Sequence, residues 1–164
     1  MKYISRLFVI ASLAAVFTGC MKEEDSIPLQ DTRPDVPVTV ANATDFRPGP
    51  AVRTSKAAGG AISITLEIPA NSGRTIKEIT KVVASTSYAA VQNSTAAYNA
   101  APIAGNGRTV TFNTTLAEFF VKNPTITPNP PTSNANLPRA FYFLVTLDNG
   151  QQLIPYAVNV LVLD

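Results

Sequence analysis

Two apolar runs joined by three turn residues constrain this chain more than anything else in it. Arg139 to Leu147 (RAFYFLVTL) and Gln152 to Leu163 (QLIPYAVNVLVL) flank Asp148-Asn149-Gly150. Asn-Gly between β-forming runs is the strongest short-range hairpin signal, because a two-residue turn needs positive φ at both central positions. The first run is apolar on both faces, which places it centrally in its sheet. Pro155 interrupts the second; proline donates no ladder bond, so a bulge or an edge is expected there.

Other strands follow from shorter patterns. Val38-Thr39-Val40 reads as a short opening strand, before Arg47-Pro48-Gly49-Pro50 breaks the chain. Ile62, Ile64, Leu66 and Ile68 alternate with Ser63, Thr65 and Glu67, the period of a half-buried strand. Pro69 ends it and Asn71-Ser72-Gly73 turns the chain. Thr75 to Thr86 has helical spacing at Ile76, Ile79, Val82 and Val83, but its Thr, Ile and Val content favours a strand containing a bulge. Tyr88 to Ala104, poor in charge and rich in Ala, Asn and Ser, reads as an irregular edge. Gly105-Asn106-Gly107 is a turn, and Val110 and Phe112 alternate with Thr109, Thr111 and Asn113 in the next strand.

Thr115-Leu116-Ala117-Glu118 fits a capping box: the threonine accepts from the N3 amide and the glutamate reaches back. One or two helical turns follow, with Phe119 and Phe120 plugging one end of the core. Asn123 to Pro138 holds five prolines and forms neither helix nor central strand. Six or seven short strands with turns between them and one short helical turn predict an all-β fold, an antiparallel sandwich of about seven strands. The Cys…Trp…Cys core of antibody domains is absent, so an immunoglobulin- or fibronectin-like label is architectural.

The N-terminus carries a different message. Lys2 and Arg6 precede the apolar run Leu7 to Phe17. Eleven residues at about 1.5 Å each fall well short of a bilayer core of about 30 Å, and match the core of a signal peptide. Phe17-Thr18-Gly19-Cys20 resembles the bacterial lipobox, in which the cysteine is diacylated and the chain is cut before it; Phe17 departs from the leucine preferred there. The competing reading is a cleaved secretory peptide followed by a free thiol. Cys20 is the sole cysteine, and a lone exposed thiol in an oxidising compartment has no partner. The expected organisation is a signal peptide over 1–19, a lipidated tether over 20–37 and a β-domain over 38–164. Lys22-Glu23-Glu24-Asp25 resembles the acidic export signal of Bacteroidetes lipoproteins, and Asp25-Ser26-Ile27 their O-glycosylation pattern; a solvated charged tether is the plainer reading.

Composition narrows the chemistry. Removing residues 1–19 takes two of the thirteen basic residues and none of the eleven acids, so the remainder is neutral and lacks a nucleic-acid footprint. There is no histidine, the commonest general base and metal ligand, and no tryptophan for sugar stacking. Asp45, Glu67, Glu78, Glu118 and Asp148 stand singly, without calcium or zinc spacing. No nucleophile motif is present, so no enzyme, cofactor or metal is expected.

Taken together, the lipobox, acidic tether, alternating strand, Thr-Leu-Ala-Glu-Phe-Phe turn and Val-Thr-Leu-Asp-Asn-Gly hairpin resemble small Bacteroidetes surface lipoproteins with immunoglobulin-like domains. These often accompany outer-membrane nutrient-uptake systems of the starch-utilisation type. The resemblance implies an outer-membrane lipoprotein facing the cell exterior, held through Cys20. It would be a non-catalytic binding module for a glycan or an outer-membrane protein partner, or else a structural or adhesion subunit. Tyr88, Tyr98, Tyr142 and Tyr156 are the aromatics able to stack on a sugar while presenting a hydroxyl; each also suits a partly buried core or edge position. Under the structural reading, Tyr88 to Ala104 is the edge to which a partner strand would add.

Overall fold

Alternation dominates the secondary structure of the computed structural model, which describes residues 34–126 and 135–164. The expected signal peptide, Cys20, the acidic run and nearly all of the tether lie outside the described residues, as does the centre of the proline-rich stretch, 127–134. Among the described residues there are ten strand segments: β1 (Thr39–Val40), β2 (Ala51–Ser55), β3 (Ala61–Glu67), β4 (Ile76–Ser85), β5 (Ile103–Ala104), β6 (Thr109–Thr115), β7 (Ala135–Asn136), β8 (Ala140–Leu147), β9 (Gln152–Leu153) and β10 (Asn159–Leu163). Two short helices interrupt them, α1 (Ala89–Asn93) and α2 (Leu116–Lys122).

Three sheets result, ordered β1-β3-β6, β5-β4-β8-β9 and β2-β10-β7. In β3 and β6 the period of two buries Ile62, Ile64 and Leu66 on one strand and Val110 and Phe112 on the other, with Ile64 opposite Phe112. That face meets β8: the Phe112 ring lies 5.4 Å from Phe141 and 5.8 Å from Phe143. Phe119 on α2 closes one end of this core, 5.9 Å from Phe141. Core burial begins before β1, at Val36, within the stretch expected to be tether.

The hairpin forms, with a different turn. Leu147 donates to the Gln151 carbonyl and accepts from Gly150 N–H, enclosing three loop residues of which Gly150 takes φ 84°. This is the three-residue loop that ends in a glycine bulge. The two arms run on as one ribbon, pairing Thr146 with Gln152, Phe141 with Val158 and Asn136 with Leu161. The arm carrying Pro155 loses its pairing over 154–157, where proline has no amide to give. β8 is flanked by β4 and β9 and buried on both faces. β4 is a bulged strand, its register against β8 shifting between Ile76 and Glu78 and again between Ile79 and Lys81.

Not all pairing is antiparallel. β2 runs parallel to β10, Ala51 to Ser55 beside Asn159 to Leu163. The five residues of β2 show too little alternation to be recognised from sequence, and nothing local names a partner so far along the chain. Tyr88 to Ala104 also holds more order than its composition suggests. α1 lies against β4 and β8, and β5 pairs with β4. Between them Tyr98 N–H bonds the Val82 carbonyl while the Asn99 side chain takes the Val82 N–H at 2.7 Å and donates to the Thr80 carbonyl. A side-chain amide thus substitutes for a neighbouring strand and closes this edge.

The helix start is half of a capping box. Thr115 Oγ1 accepts from Glu118 N–H at 3.1 Å, but the Glu118 carboxylate takes the Thr114 hydroxyl at 2.8 Å rather than returning to Thr115. Thr115 still belongs to β6, opposite Ala61. Thr115→Ala is expected to lower stability by about 1 kcal/mol, read as a reduced urea midpoint at unchanged m-value.

Candidate functional site

The period of two that sends Phe141 and Phe143 into the core sends Tyr142 to the opposite face of β8. There α1 covers it: Val91 is buried, and the Tyr88 ring at the start of the helix meets the Tyr142 ring edge-on, 4.9 Å apart at 84°. Tyr88 is also tied to the break between β9 and β10, its hydroxyl oxygen accepting Ala157 N–H at 3.1 Å. Tyr156, next to Ala157 and freed from pairing by Pro155, is 76% exposed.

A fourth aromatic comes from the other end of the domain. Asp45 bridges to Ala51, and its carboxylate holds the loop by accepting Phe46 N–H at 2.7 Å and Arg47 N–H at 3.2 Å. The parallel pairing of β2 with β10 sets this loop beside the same break: Asn159 N–H bonds the Pro50 carbonyl at 2.9 Å, and a Cβ on Gly49 would sit 3.7 Å from the Ala157 carbonyl oxygen. Phe46 is 64% exposed and Tyr88 47%. The segments carrying Phe46, Tyr88 and Tyr156 therefore meet around Ala157, and they supply three of the four exposed large hydrophobic residues among those described; Val121 on α2 is the other.

Tyr142 differs from its neighbours, being only 6% exposed. Burial, and then the nearby Tyr88, push its phenol above the ordinary tyrosine range, so it stays protonated at neutral pH. The loop that carries Phe46 holds one acid and one base, Asp45 and Arg47, and Lys81, on the Tyr142 face of β4, bonds the Ser94 carbonyl. Among the described residues no three His, Cys, Asp or Glu side chains group to hold a metal. What the patch offers is aromatic surface and phenol hydroxyls, the equipment for stacking and hydrogen bonding.

Tyr98 does not belong to this site. It is buried, its ring packed edge-on to Phe112 and Phe141 and its hydroxyl bonded to Thr114 Oγ1 at 2.9 Å. Lys122 lies 4.4 Å from the ring centre, bonds the Tyr98 carbonyl and pairs with Glu118 at 3.1 Å. The Thr114 hydroxyl, then Lys122, hold the Glu118 carboxyl below its usual range. That contribution is fully present above the unfolded carboxylate range and is lost as pH falls through the depressed value. The network fastens α2 to the core, so Tyr98 is a structural residue and offers no face to a ligand.

Of the four tyrosines singled out by sequence, the fold brings Tyr88 and Tyr142 into ring contact, leaves Tyr156 exposed next to Ala157, whose N–H bonds Tyr88, and buries Tyr98 elsewhere; Cys20 lies outside the described residues. Phe46 was not among the candidates. Its mark is an aromatic with no apolar periodicity around it, followed at once by Arg-Pro-Gly-Pro, where burial is hard to arrange. Compared with known proteins, the chain matches no protein family and no curated sequence.

Proposed function

We propose that this protein is an outer-membrane lipoprotein, anchored through Cys20, whose immunoglobulin- or fibronectin-like β-sandwich is a non-catalytic glycan-binding module serving nutrient capture at the cell surface. One observation carries the binding assignment: three exposed aromatics, Phe46, Tyr88 and Tyr156, are borne on segments that meet around Ala157. Isolated exposed apolar side chains are ordinary, but aromatics grouped at one place mark a binding surface. Flat aromatic rings suit the C–H faces of sugars, and tyrosine adds a hydroxyl for orientation. The sandwich assignment is supported by the ring contacts between β6 and β8 and by the ribbon that sets β10 between β7 and β2.

The test is a thermal-shift screen of the full chain in detergent micelles against soluble polysaccharides. A ligand at 100 times its Kd stabilises by about 2.7 kcal/mol, a shift of several degrees. A saturable shift with one sugar class is expected, and Tyr156→Ala should abolish it while leaving the unliganded Tm within about 1 °C, the behaviour of an exposed side chain. An unchanged shift in Tyr156→Ala would remove this patch from the account.

A structural role has one observation in its favour, at a different edge from the one expected. Thr109 exchanges both backbone hydrogen bonds with Asn106 on the side away from β3. Thr111 and Asn113, in phase with it on β6, turn peptide groups outward, and no described residue bonds them. This stretch has no charge, proline or bulge to block an added strand. Cross-linking on intact cells through a cysteine at position 111 would capture a protein neighbour under this reading, and no specific neighbour under the glycan reading.

A further inference from the structure

We infer that β6 is a self-pairing edge: two copies of this chain join antiparallel along it, Thr111 of one opposite Asn113 of the other, into one sheet running through both. The inference rests on the structural reading of that edge given above and names its partner. Tyr142 lies on the outer face of the other sheet, under α1, so the pairing leaves the aromatic patch free, and a copy of the chain at β6 is compatible with a glycan there.

The register follows from which peptide groups are open. Ile68 donates to the Arg108 carbonyl at 3.1 Å and Leu116 to the Gly60 carbonyl at 2.8 Å. The even-numbered residues of β6 therefore face β3, and the odd-numbered ones face away. Of these, Thr109 exchanges both bonds with Asn106, and Thr115 caps α2. Thr111 and Asn113 remain, both exposed, with N–H and C=O bonded to no described residue. An antiparallel partner has to offer two open residues at the same spacing, and β6 itself does. With Phe112 on the two-fold axis, Thr111 meets Asn113 of the second copy, Asn113 meets its Thr111, and every open group is bonded. Thr111 against Thr111 would set Asn113 opposite Thr109, whose groups are taken; Asn113 against Asn113 would set Thr111 opposite the helix cap.

Charge favours the same arrangement. No residue between Arg108 and Glu118 is charged. Arg108 is exposed and pairs with no acid among the described residues, while Glu118 stands at the other end, in the first turn of α2. Antiparallel copies bring the Arg108 end of each β6 to the Glu118 end of the other, whereas parallel copies would set like charges together. Thr111 and Asn113, the side chains that meet between those ends, are neutral and polar and do not repel across the strands.

The experiment is sedimentation of the full chain in density-matched detergent over a concentration series. Wild type is expected to pass from the mass of one chain to that of two. Thr111→Lys/Asn113→Lys should weaken the pairing about tenfold or more by setting like charges opposite each other, and Thr111→Glu/Asn113→Glu should do the same, each at unchanged Tm. An equal mixture of the two should recover the mass of two chains, which also shows that both variants are folded. Wild type that stays at one chain throughout, lysine variants that pair as wild type does, or a mixture that does not pair overturns the inference. A second arm uses the cysteine at position 111 on intact cells, where a cross-link to the chain's own copy is expected. A cross-link to a different protein alone overturns the second copy and leaves the structural reading of the edge, and no cross-link overturns both.

Discussion

Gly105→Ala is expected to destabilise the domain by about 3 kcal/mol or more, at the upper end of what overpacking costs. Gly105 follows β5 directly and donates its N–H to the Lys77 carbonyl at 2.8 Å. A Cβ there would stand 2.0 Å from the Ile76 carbonyl oxygen and 2.8 Å from its carbon. Both are backbone atoms of β4, so relief requires β5 to leave the sheet edge or β4 to shift against β8. Gly73 is the informative control. Its φ of 64° strains any L-residue, yet a Cβ there meets nothing within 4 Å. Gly73→Ala should therefore cost only about 1–2 kcal/mol, the price of the left-handed conformation. Urea denaturation followed by circular dichroism separates the two, and equal midpoints would contradict a backbone clash at Gly105.

Phe141→Ala is expected to cost about 3–5 kcal/mol, a large share of the 5–15 kcal/mol typical of a domain. The ring is fully enclosed and sits among Tyr98 at 5.4 Å, Phe112 at 5.4 Å and Phe119 at 5.9 Å. These come from the β4 edge, from β6 and from α2, so deleting it opens a cavity where three separate parts of the chain converge. Phe46→Ala removes a ring of the same size from the surface and should change stability by no more than about 0.5 kcal/mol. The pair separates core from site: the first variant loses stability, the second loses ligand. A Phe46→Ala protein as unstable as Phe141→Ala would mean that Phe46 packs rather than binds.

How much of this could be read from sequence depended on how local each feature is. The alternation of β3 and β6, the bulged β4, the capping threonine and the final hairpin each depend on residues a few positions apart, and each is present. The hairpin turn differs because Gly150 alone suffices for a three-residue loop, where a two-residue turn would also have demanded positive φ of Asn149. The parallel β2–β10 pairing and the Asn99 amide that closes the β4 edge join segments without local markers. The site illustrates the same division. Period two placed Tyr142 on the face opposite Phe141 and Phe143, but only the covering by α1 brings Tyr88 to it, and only the break at Pro155 leaves Tyr156 exposed next to Ala157. Tyr98 sits in a stretch with no apolar period, so its burial could not be inferred; Phe46 owes its place in the site to the β2–β10 pairing.

The central claim, that Phe46, Tyr88, Tyr142 and Tyr156 form a glycan site, is tested most directly by intrinsic fluorescence. The chain contains no tryptophan, and three of the four tyrosines beyond residue 19 belong to the patch, so its ultraviolet emission reports largely on the site. Titration with soluble oligosaccharides should give a saturable change with one sugar class, strongly reduced in Tyr156→Ala at unaltered Tm. Emission that no sugar changes, or that changes equally in Tyr156→Ala, would contradict the account.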